Sequence, residues 1–248
     1  MPTYNNTFKS LDTFLISLTD FYIYSNGISR IEFWDIDTVS AASEVTTFNL
    51  GTGIKNLTLA GSRDANINGN DLANKIVGTD GKNIIRGKDG NDQIVSKGGD
   101  DVIYAGKGDD TLKFALVADL TALDVIKGDG GDDTMELTTS DGDAITDAKF
   151  TLVSSVETFK VSDATITQTT YTFGAEAQEA GIRTLDFTKT DGANLTIDAS
   201  AYTTGVTVKA SELDDIFTIT TGKGADTITT SLDGADQLTG GDGNDTFN

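Results

Sequence analysis

The chain has 248 residues, and its 39 acidic and 18 basic side chains give a formal net charge of −21 at pH 7. It contains no histidine and no cysteine, which excludes Ser-His-Asp and Cys-His catalysis, zinc sites built on these ligands, and disulfide bonds. Nucleic acids and anionic membranes would be repelled by this charge, and no apolar run reaches the length of about 18 residues that a membrane-spanning helix needs. We therefore expect neither nucleic-acid binding nor membrane insertion.

The acidic residues are chosen unevenly, since 32 of the 39 are aspartate. Aspartate has a short side chain that caps tight turns and binds hard cations from them. The chain also has 38 threonines and 27 glycines. Threonine favours strands, and glycine allows backbone conformations with positive φ. This composition is typical of a β-protein with many tight, acidic loops.

Residues 1–48 differ from the rest of the chain because they hold nine of its 19 aromatic residues. Leu11–Tyr24 combines helix-like spacing with strand-forming residues, and Ile28–Ile36 alternates as a strand does. The first segment of a repeat array has to cover an exposed core, so a small cap would have this composition. A segment that anchors the chain or assembles it with others would look the same, and both interpretations remain open.

From residue 69 the chain has a period of nine residues. The blocks GNDLANKIV, GTDGKNIIR, GKDGNDQIV, SKGGDDVIY and AGKGDDTLK cover residues 69–113 without a gap. The sixth position is always Asn or Asp, and the eighth is always Ile or Leu. Five blocks in one register indicate a repeat architecture, and the period returns in part at 119–136 and 222–248.

The block pattern predicts a coil with two acidic edges. Its glycines allow six residues to form a tight loop of converging carbonyl groups, to which the sixth residue adds a carboxylate. The eighth residue points inward from a short strand, so one block gives one loop and one strand. Two blocks then complete a coil of 18 residues. Asn74, Asp92 and Asp110 should stack on one edge, and Asn83 and Asp101 on the other.

Stacked carboxylates call for a bound cation. Neighbours in a stack lie about 4.8 Å apart, where two carboxylates repel by roughly 3.5 kcal/mol at an effective dielectric constant of about 20. With one aliphatic side chain per block, the core is too thin to offset this repulsion and the entropy of ordering the chain. A divalent cation between successive loops resolves both problems, and an all-oxygen ligand set favours Ca²⁺. We expect sites at the pairs 74/92, 83/101 and 92/110, weaker where asparagine replaces aspartate.

The predicted metal-binding set contains the loop glycines together with the acidic or amide residues of the blocks, and no catalytic residue or other cofactor is predicted. The set is Asn74, Gly78, Asp80, Asn83, Gly87, Asp89, Gly90, Asp92, Gly99, Asp101, Gly108, Asp110, Gly128, Gly130, Asp133, Asp226, Asp236, Gly241, Gly243 and Asp245.

The blocks GGDGNDTFN and GKDGNDQIV resemble the GGxGxDxUx nonapeptides of the RTX (repeats-in-toxin) family. This resemblance implies an all-β, right-handed parallel β-roll or β-helix solenoid with calcium in its loops, next to a small N-terminal cap or assembly segment. It also implies export of the unfolded chain through a type I secretion channel and folding in external calcium. The segments VETFKV and ANLTIDASAYTTGVTVKA are similar to repeat regions of RTX-bearing bacterial surface-layer proteins and large adhesins.

Four regions follow from these patterns. Residues 1–48 form the cap or anchor, 49–136 the RTX-type β-roll, 137–211 an irregular β-solenoid, and 212–248 a last set of RTX-type repeats that stops within a coil. In the irregular region, alternation and turn residues predict four strands and one helical turn within Glu176–Glu179. The predicted strands are Val156–Val161, Thr184–Thr188, Leu195–Ala199 and Val206–Ala210.

The predicted function is that of an extracellular calcium-binding structural protein, such as a surface-layer or adhesin component. It would associate with itself into a lattice or filament, contact cell-surface polysaccharide, and reach the cell exterior without an N-terminal signal peptide, since no basic segment precedes an apolar one. No HExxH or GxSxG motif is present, so we expect no enzyme activity. A calcium-dependent, polysaccharide-active β-helix enzyme and a virion-associated stalk remain as alternatives.

Overall fold

A computed structural model describes residues 47–138, 144–162, 170–188, 190, 194–210, 216–231 and 235–248, and the backbone of four short strands before them. These four are Leu15–Ile16 (β1), Phe21–Ile23 (β2), Ile31–Phe33 (β3) and Thr38–Ala42 (β4). The strand expected within Ile28–Ile36 includes β3. The remainder of the predicted cap or anchor at 1–48 lies largely outside the described residues.

The described residues form short strands that alternate between sheets along the chain. The largest sheet has 13 strands. Besides β1, β2 and β4, it contains Asn56–Ala60 (β6), Lys75–Val77 (β8), Gln93–Val95 (β10), Thr111–Phe114 (β12), Thr134–Leu137 (β14), Thr158–Val161 (β16), Thr184–Asp186 (β18), Thr207–Ala210 (β20), Thr227–Thr230 (β22) and Thr246–Phe247 (β24).

Two smaller sheets lie opposite parts of the largest one in the coil. A sheet of seven strands contains β3 and then Thr47–Leu50 (β5), Ala65–Asn68 (β7), Asn83–Asp89 (β9), Val102–Lys107 (β11), Val125–Gly130 (β13) and Val153–Ser154 (β15). A sheet of four contains Thr170–Thr172 (β17), Asn194–Asp198 (β19), Ile216–Thr220 (β21) and Gln237–Thr239 (β23). Apart from β1 and β2, which are antiparallel, the paired strands of the described residues are parallel.

Strand pairing confirms that two nonapeptide blocks complete one coil of the array. Ile94 is opposite both Ile76 and Leu112 in the largest sheet, and Ile85 is opposite Ile103 in the seven-stranded sheet. All five side chains are buried, whereas the residues on either side of each point outward. Each block therefore contributes one aliphatic side chain to a thin core, as its eighth position predicted.

The coils become wider after the array. Leu112 pairs with Met135, and Phe159 pairs with Leu185, so each of these coils contains more residues than two nonapeptide blocks do. The extra length admits aromatic side chains, and Phe159 and Phe173 are packed with ring centroids 5.2 Å apart. The predicted helical turn is Ala175–Ala180 (α1), whose first N–H groups donate to the carboxylate of Asp147. Such capping satisfies amide groups that have no partner within a helix.

The fold class predicted from the sequence is thus confirmed as a parallel β-solenoid with very little helix. The strands predicted for the irregular region correspond to β16, β18, β19 and β20, each within two residues of the predicted ends. Among the described residues, none of the helices has the length and apolar character needed to cross a membrane.

Candidate calcium-binding loops

The sixth residue of each block stands at the beginning of a strand. Asp92, Asp101 and Asp110 come directly before β10, β11 and β12, and Asn83 is the first residue of β9. Because successive strands on one sheet are parallel and in register, their sixth residues lie directly above one another. The array therefore has two columns of sixth residues, one on each edge of the coil, as the nonapeptide period predicted.

Hydrogen bonds link the members of each column. On the first edge, the N–H groups of Asn74, Asp92 and Asp110 donate to the Oδ1 of the next residue in the column, at 2.7, 2.7 and 2.8 Å. The last of these acceptors is Asp133, whose own N–H donates to Glu157 at 2.8 Å. Each carboxylate is thus held by the backbone of the coil before it.

The second edge and the C-terminal repeats have the same arrangement. The N–H groups of Asn83 and Asp101 donate to the Oδ1 of Asp101 and Asp124, each at 2.7 Å. Three further aspartates of the C-terminal repeats accept backbone N–H groups in this way, at 2.8, 2.9 and 3.0 Å. They are Asp226, Asp236 and Asp245.

The Oδ2 atoms of the sixth-position aspartates show which loops have a carboxylate oxygen without a hydrogen-bond donor. Five sixth-position aspartates have a buried Oδ2 without a hydrogen-bond donor: Asp92, Asp101, Asp110, Asp133 and Asp226. A buried, unpartnered carboxylate oxygen is costly, so each of these loops has a strong requirement for a cation or a proton. Among the described residues, aspartates with this requirement recur from loop to loop instead of forming a single site.

The first glycine of a block leaves room beside this oxygen. At Gly87, an added Cβ atom would collide with Asp92 Oδ2 and with the carbonyl oxygen of Ala105 in the next loop on the same edge. The absence of a side chain therefore preserves a space bounded by a carboxylate and a carbonyl group. Both are hard oxygen donors of the type that Ca²⁺ binds.

Burial dominates the electrostatics of these aspartates. It raises the pKa of Asp92 and Asp133 to about 7 and the pKa of Asp101 and Asp110 to about 6, although the donated backbone N–H groups act in the opposite direction. Neighbouring carboxylates raise these pKa values further, but less than burial does. The need for a cation therefore arises more from desolvation than from the repulsion between stacked carboxylates that the sequence predicted.

The ligand set offered by each loop is rich in carbonyl groups and poor in carboxylates. Among the described residues, no group of three or more His, Cys, Asp or Glu side chains is close enough together to hold a metal ion. Each aspartate loop has one buried sixth-position carboxylate, so a bound ion needs further oxygens, which the backbone carbonyl groups can supply. This set suits Ca²⁺, which accepts backbone carbonyl groups at flexible angles, and disfavours metals that need nitrogen or sulfur.

The predicted glycines stand at the first, second, third or fourth position of their loops. Gly78, Gly87 and Gly128 are first residues of loops, and Gly241 is a second residue with a φ of +80°. The fourth loop residues have φ between +112° and +140° and are Gly90, Gly99, Gly108, Gly131, Gly224 and Gly243. In the block that follows the array, Gly131 rather than the predicted Gly130 takes this position, because Gly130 pairs with Lys107 and places Gly131 opposite Gly108.

Two predicted acids are not part of the buried columns. The exposed Asp89 forms an ion pair with Lys107, with 3.0 Å between its Oδ2 and the lysine Nζ. Asp80 is also exposed and lies 4.0 Å from the Nζ of Lys97. Both are third residues of their loops, and their side chains face solvent rather than the space beside the sixth residue.

The predicted metal-binding set omits two members of the columns, Asp124 and Glu157. Both lie beyond the gapless array, where the chain between successive column members is longer than two blocks. Asp124 also differs from its neighbours because its Oδ2 accepts the N–H of Thr121 at 2.6 Å. The sequence does place Asp124 two residues before Ile126 and nine before Asp133, which is the spacing of the sixth and eighth positions of a block.

Comparison with known proteins finds one family. The model of the RTX calcium-binding nonapeptide repeat, in four copies, matches residues 68–100, 77–112, 122–138 and 218–247. These ranges include all five aspartates that have an unpartnered buried oxygen. No curated protein and no solved structure matches the chain.

Proposed function

Because the chain carries calcium-binding nonapeptide repeats of the RTX family, as its blocks predicted, we propose that it is an extracellular structural protein whose loops are joined by calcium. The repeats form a calcium-binding solenoid, and repeats of this type are structural rather than catalytic. The observation that carries the proposal is the recurrence of a buried, unpartnered Asp Oδ2 on successive loops.

The proposed calcium ligands are the carboxylates of these five aspartates together with carbonyl groups of their own and adjacent loops. Burial removes water from around these carboxylates, and bound calcium supplies the positive charge that stabilises their ionised form. The loops on each side of an ion belong to different coils, so binding joins coils that have only a thin aliphatic core between them. The predicted residues Asp236 and Asp245 would complete this series in the C-terminal repeats.

The requirement for calcium should differ along the chain. We assign it to regions 49–136 and 212–248, whereas region 137–211 would be held mainly by its wider core. In that region the column of sixth residues contains Glu157, Arg183 and Val206, each directly before a strand. The buried aromatic residues there provide the apolar burial that the array lacks.

Calorimetric titration with calcium and circular dichroism test the calcium part of the proposal. We expect several bound ions and a gain of β-structure when calcium is added to the chelated chain. Magnesium at equal concentration is the control, and it should be much less effective because it prefers rigid octahedral coordination and retains its water. A chain with the same spectrum in calcium and in chelator, and no heat of binding, would contradict the proposal.

We assign the protein to a surface layer or an adhesin-type assembly outside the cell. The support is its net charge of −21, which prevents close approach of two copies unless divalent cations lie between them. Electron microscopy and light scattering should then show lattices or filaments that form in millimolar calcium and dissolve in chelator. Particles that stay monomeric at every calcium concentration would refute self-association.

The chain would be exported unfolded through a type I channel and would contact cell-surface polysaccharide outside the cell. A chain that folds only when calcium binds stays unfolded in the cytosol, where the calcium concentration is too low to fill weak sites. It can therefore pass through such a channel. In cells, the chain should stay sensitive to protease until millimolar calcium is added. Sedimentation with purified cell-surface polysaccharide tests the second part, and recovery equal to that of a polysaccharide-free control would exclude it.

A further inference from the structure

Asn83 occupies a sixth position but has a different environment from the aspartates. Its side chain is fully buried, and its amide nitrogen Nδ2 has four oxygen atoms around it. Two belong to its own loop, the carbonyl oxygens of Thr79 at 2.9 Å and Gly81 at 2.7 Å. The other two belong to the next loop on the same edge, Ser96 O and Asp101 Oδ1, both at 3.1 Å. The amide therefore lies between two successive loops.

The orientation of this amide is fixed by its other atom. The Oδ1 of Asn83 accepts the N–H and the hydroxyl group of Thr79, both at 3.1 Å. A backbone N–H can only donate, so the atom facing it has to be the oxygen. The NH₂ group consequently faces the four oxygens, where it supplies the partial positive charge.

A second amide cluster joins the preceding coil on the other edge. The Nδ2 of Asn74 donates to Ile54 O at 3.2 Å and to Asn70 Oδ1 at 3.0 Å. The Nδ2 of Asn70 donates to Gly51 O at 2.6 Å and Ile54 O at 2.7 Å. Here too the oxygen is fixed, because Asn74 Oδ1 accepts the N–H of Asn70 at 2.9 Å. Neutral side chains thus satisfy carbonyl groups of two coils.

The contrast with the aspartate loops is in the unpartnered atoms. Five sixth-position aspartates have a buried Oδ2 without a donor, whereas neither Asn74 nor Asn83 has any such atom. Asparagine has nearly the shape of aspartate but carries two N–H donors in place of one oxygen. In the asparagine loops, the protein itself therefore provides the donor that the aspartate loops lack.

We propose that the side-chain amides of Asn70, Asn74 and Asn83 take the place of the cation at the start of the array. Their amides join the loops at 51–54, 69–74, 78–83 and 96–101, so residues 51–101 form a calcium-independent platform. The loops that follow, from 105–110 onward, close around calcium against this platform. In a solenoid each coil contacts only its neighbours, so a coil that is already ordered lowers the entropy of adding the next one. This inference rests on the proposed function, since it specifies which loops take calcium.

The test uses the full chain and three variants, measured by calcium calorimetry and by amide hydrogen exchange in chelator. In the wild type, peptides from 51–101 should exchange about tenfold or more slowly than peptides from 105–113 when calcium is absent. Asn83→Asp should bind one more calcium ion than the wild type and should lose the protection of 78–86 in chelator. Asp92→Asn should bind one ion fewer.

Asn194→Asp is the matched control, because it adds the same charge at an exposed position of region 137–211, away from the nonapeptide array. Its replacement should change neither stoichiometry nor protection. Equal exchange of 51–101 and 105–113 in the wild-type chain without calcium would overturn the platform. Unchanged stoichiometry in Asn83→Asp, while the wild type binds calcium, would overturn the role of the amide. A wild type that binds no calcium would instead refute the proposed function.

Discussion

The adjacent glycines 130 and 131 provide a sharp test of how closely the loops are stacked. Gly131 has a φ of +137°, and an added Cβ atom would lie 2.6 Å from the carbonyl carbon of Gly108 and collide with its oxygen. Gly130 has no such restriction, because the nearest atom to its added Cβ is Gly106 O at 3.9 Å. Alanine at residue 131 therefore adds a methyl group where there is no room for it, whereas alanine at residue 130 adds the same group where there is room.

The expected effect of Gly131→Ala follows from two contributions. Holding an alanine at this φ costs of order 1–3 kcal/mol. Moving the loops apart to admit the methyl group also stretches the hydrogen bond from the N–H of Gly108 to Gly130 O, now 2.8 Å long, which costs about 1 kcal/mol. The sum of roughly 2–4 kcal/mol should lower the unfolding midpoint in saturating calcium by roughly 4–16 °C.

Gly130→Ala should have the opposite or no effect, because alanine restricts the unfolded chain and raises stability by about 0.4–1 kcal/mol where the fold admits it. Calorimetric unfolding of both variants in saturating calcium provides the comparison, and exchange of the amides at 106–110 locates the change. Equal midpoints for the two variants, or a Gly131→Ala protein as stable as the wild type, would refute the close stacking of loops on which the site geometry depends.

Three further predictions concern charge and backbone. Burial raises the pKa values of Asp92 and Asp133 from 3.8 to about 7. Without calcium, these groups therefore favour folding below pH 4 and lose this contribution as the pH rises through 7. Circular dichroism in chelator should show more β-structure at pH 5 than at pH 8, and a reversed trend would contradict their burial. Asp133→Ala removes a proposed calcium ligand and also the acceptor of the buried N–H of Asp110, so it should lower stability in calcium by at least about 1–3 kcal/mol, measured by denaturant unfolding; unchanged stability would contradict both roles. Lys88→Gly should raise stability by about 1 kcal/mol, measured by calorimetric unfolding, because it removes a side chain at a φ of +85°.

The nonapeptide array was the part of the fold that sequence could predict in detail. A strict period fixes both the coil length and the face of each residue, so Ile76, Ile94 and Leu112 had to stack inside. The same period placed Asp92 and Asp110 in one column. In the wider coils no period exists, and the positions of Phe159 and Phe173 depend on contacts between residues far apart in sequence, which short patterns do not encode.

The site was predicted less completely, because spacing identifies a position but not the direction of its side chain. Asp80, Asp89 and Asp92 are all acids of the same repeat pattern, yet only the last is buried. The hydrogen bonds from backbone N–H groups to Oδ1 also could not be read from spacing, since they depend on the precise height of one strand above another. These bonds determine which carboxylate oxygen remains without a partner.

Coil length explains why only parts of this solenoid should need calcium. A coil made of two nonapeptide blocks surrounds one aliphatic side chain from each sheet, so it buries little apolar surface for each residue that it orders. The longer coils that follow the array surround aromatic side chains as well, so their core contains larger buried side chains. The narrow coils are therefore the ones in which a loop ligand has a structural role. In the aspartate loops that ligand is a cation, whereas the amides of the first coils meet the same need without one.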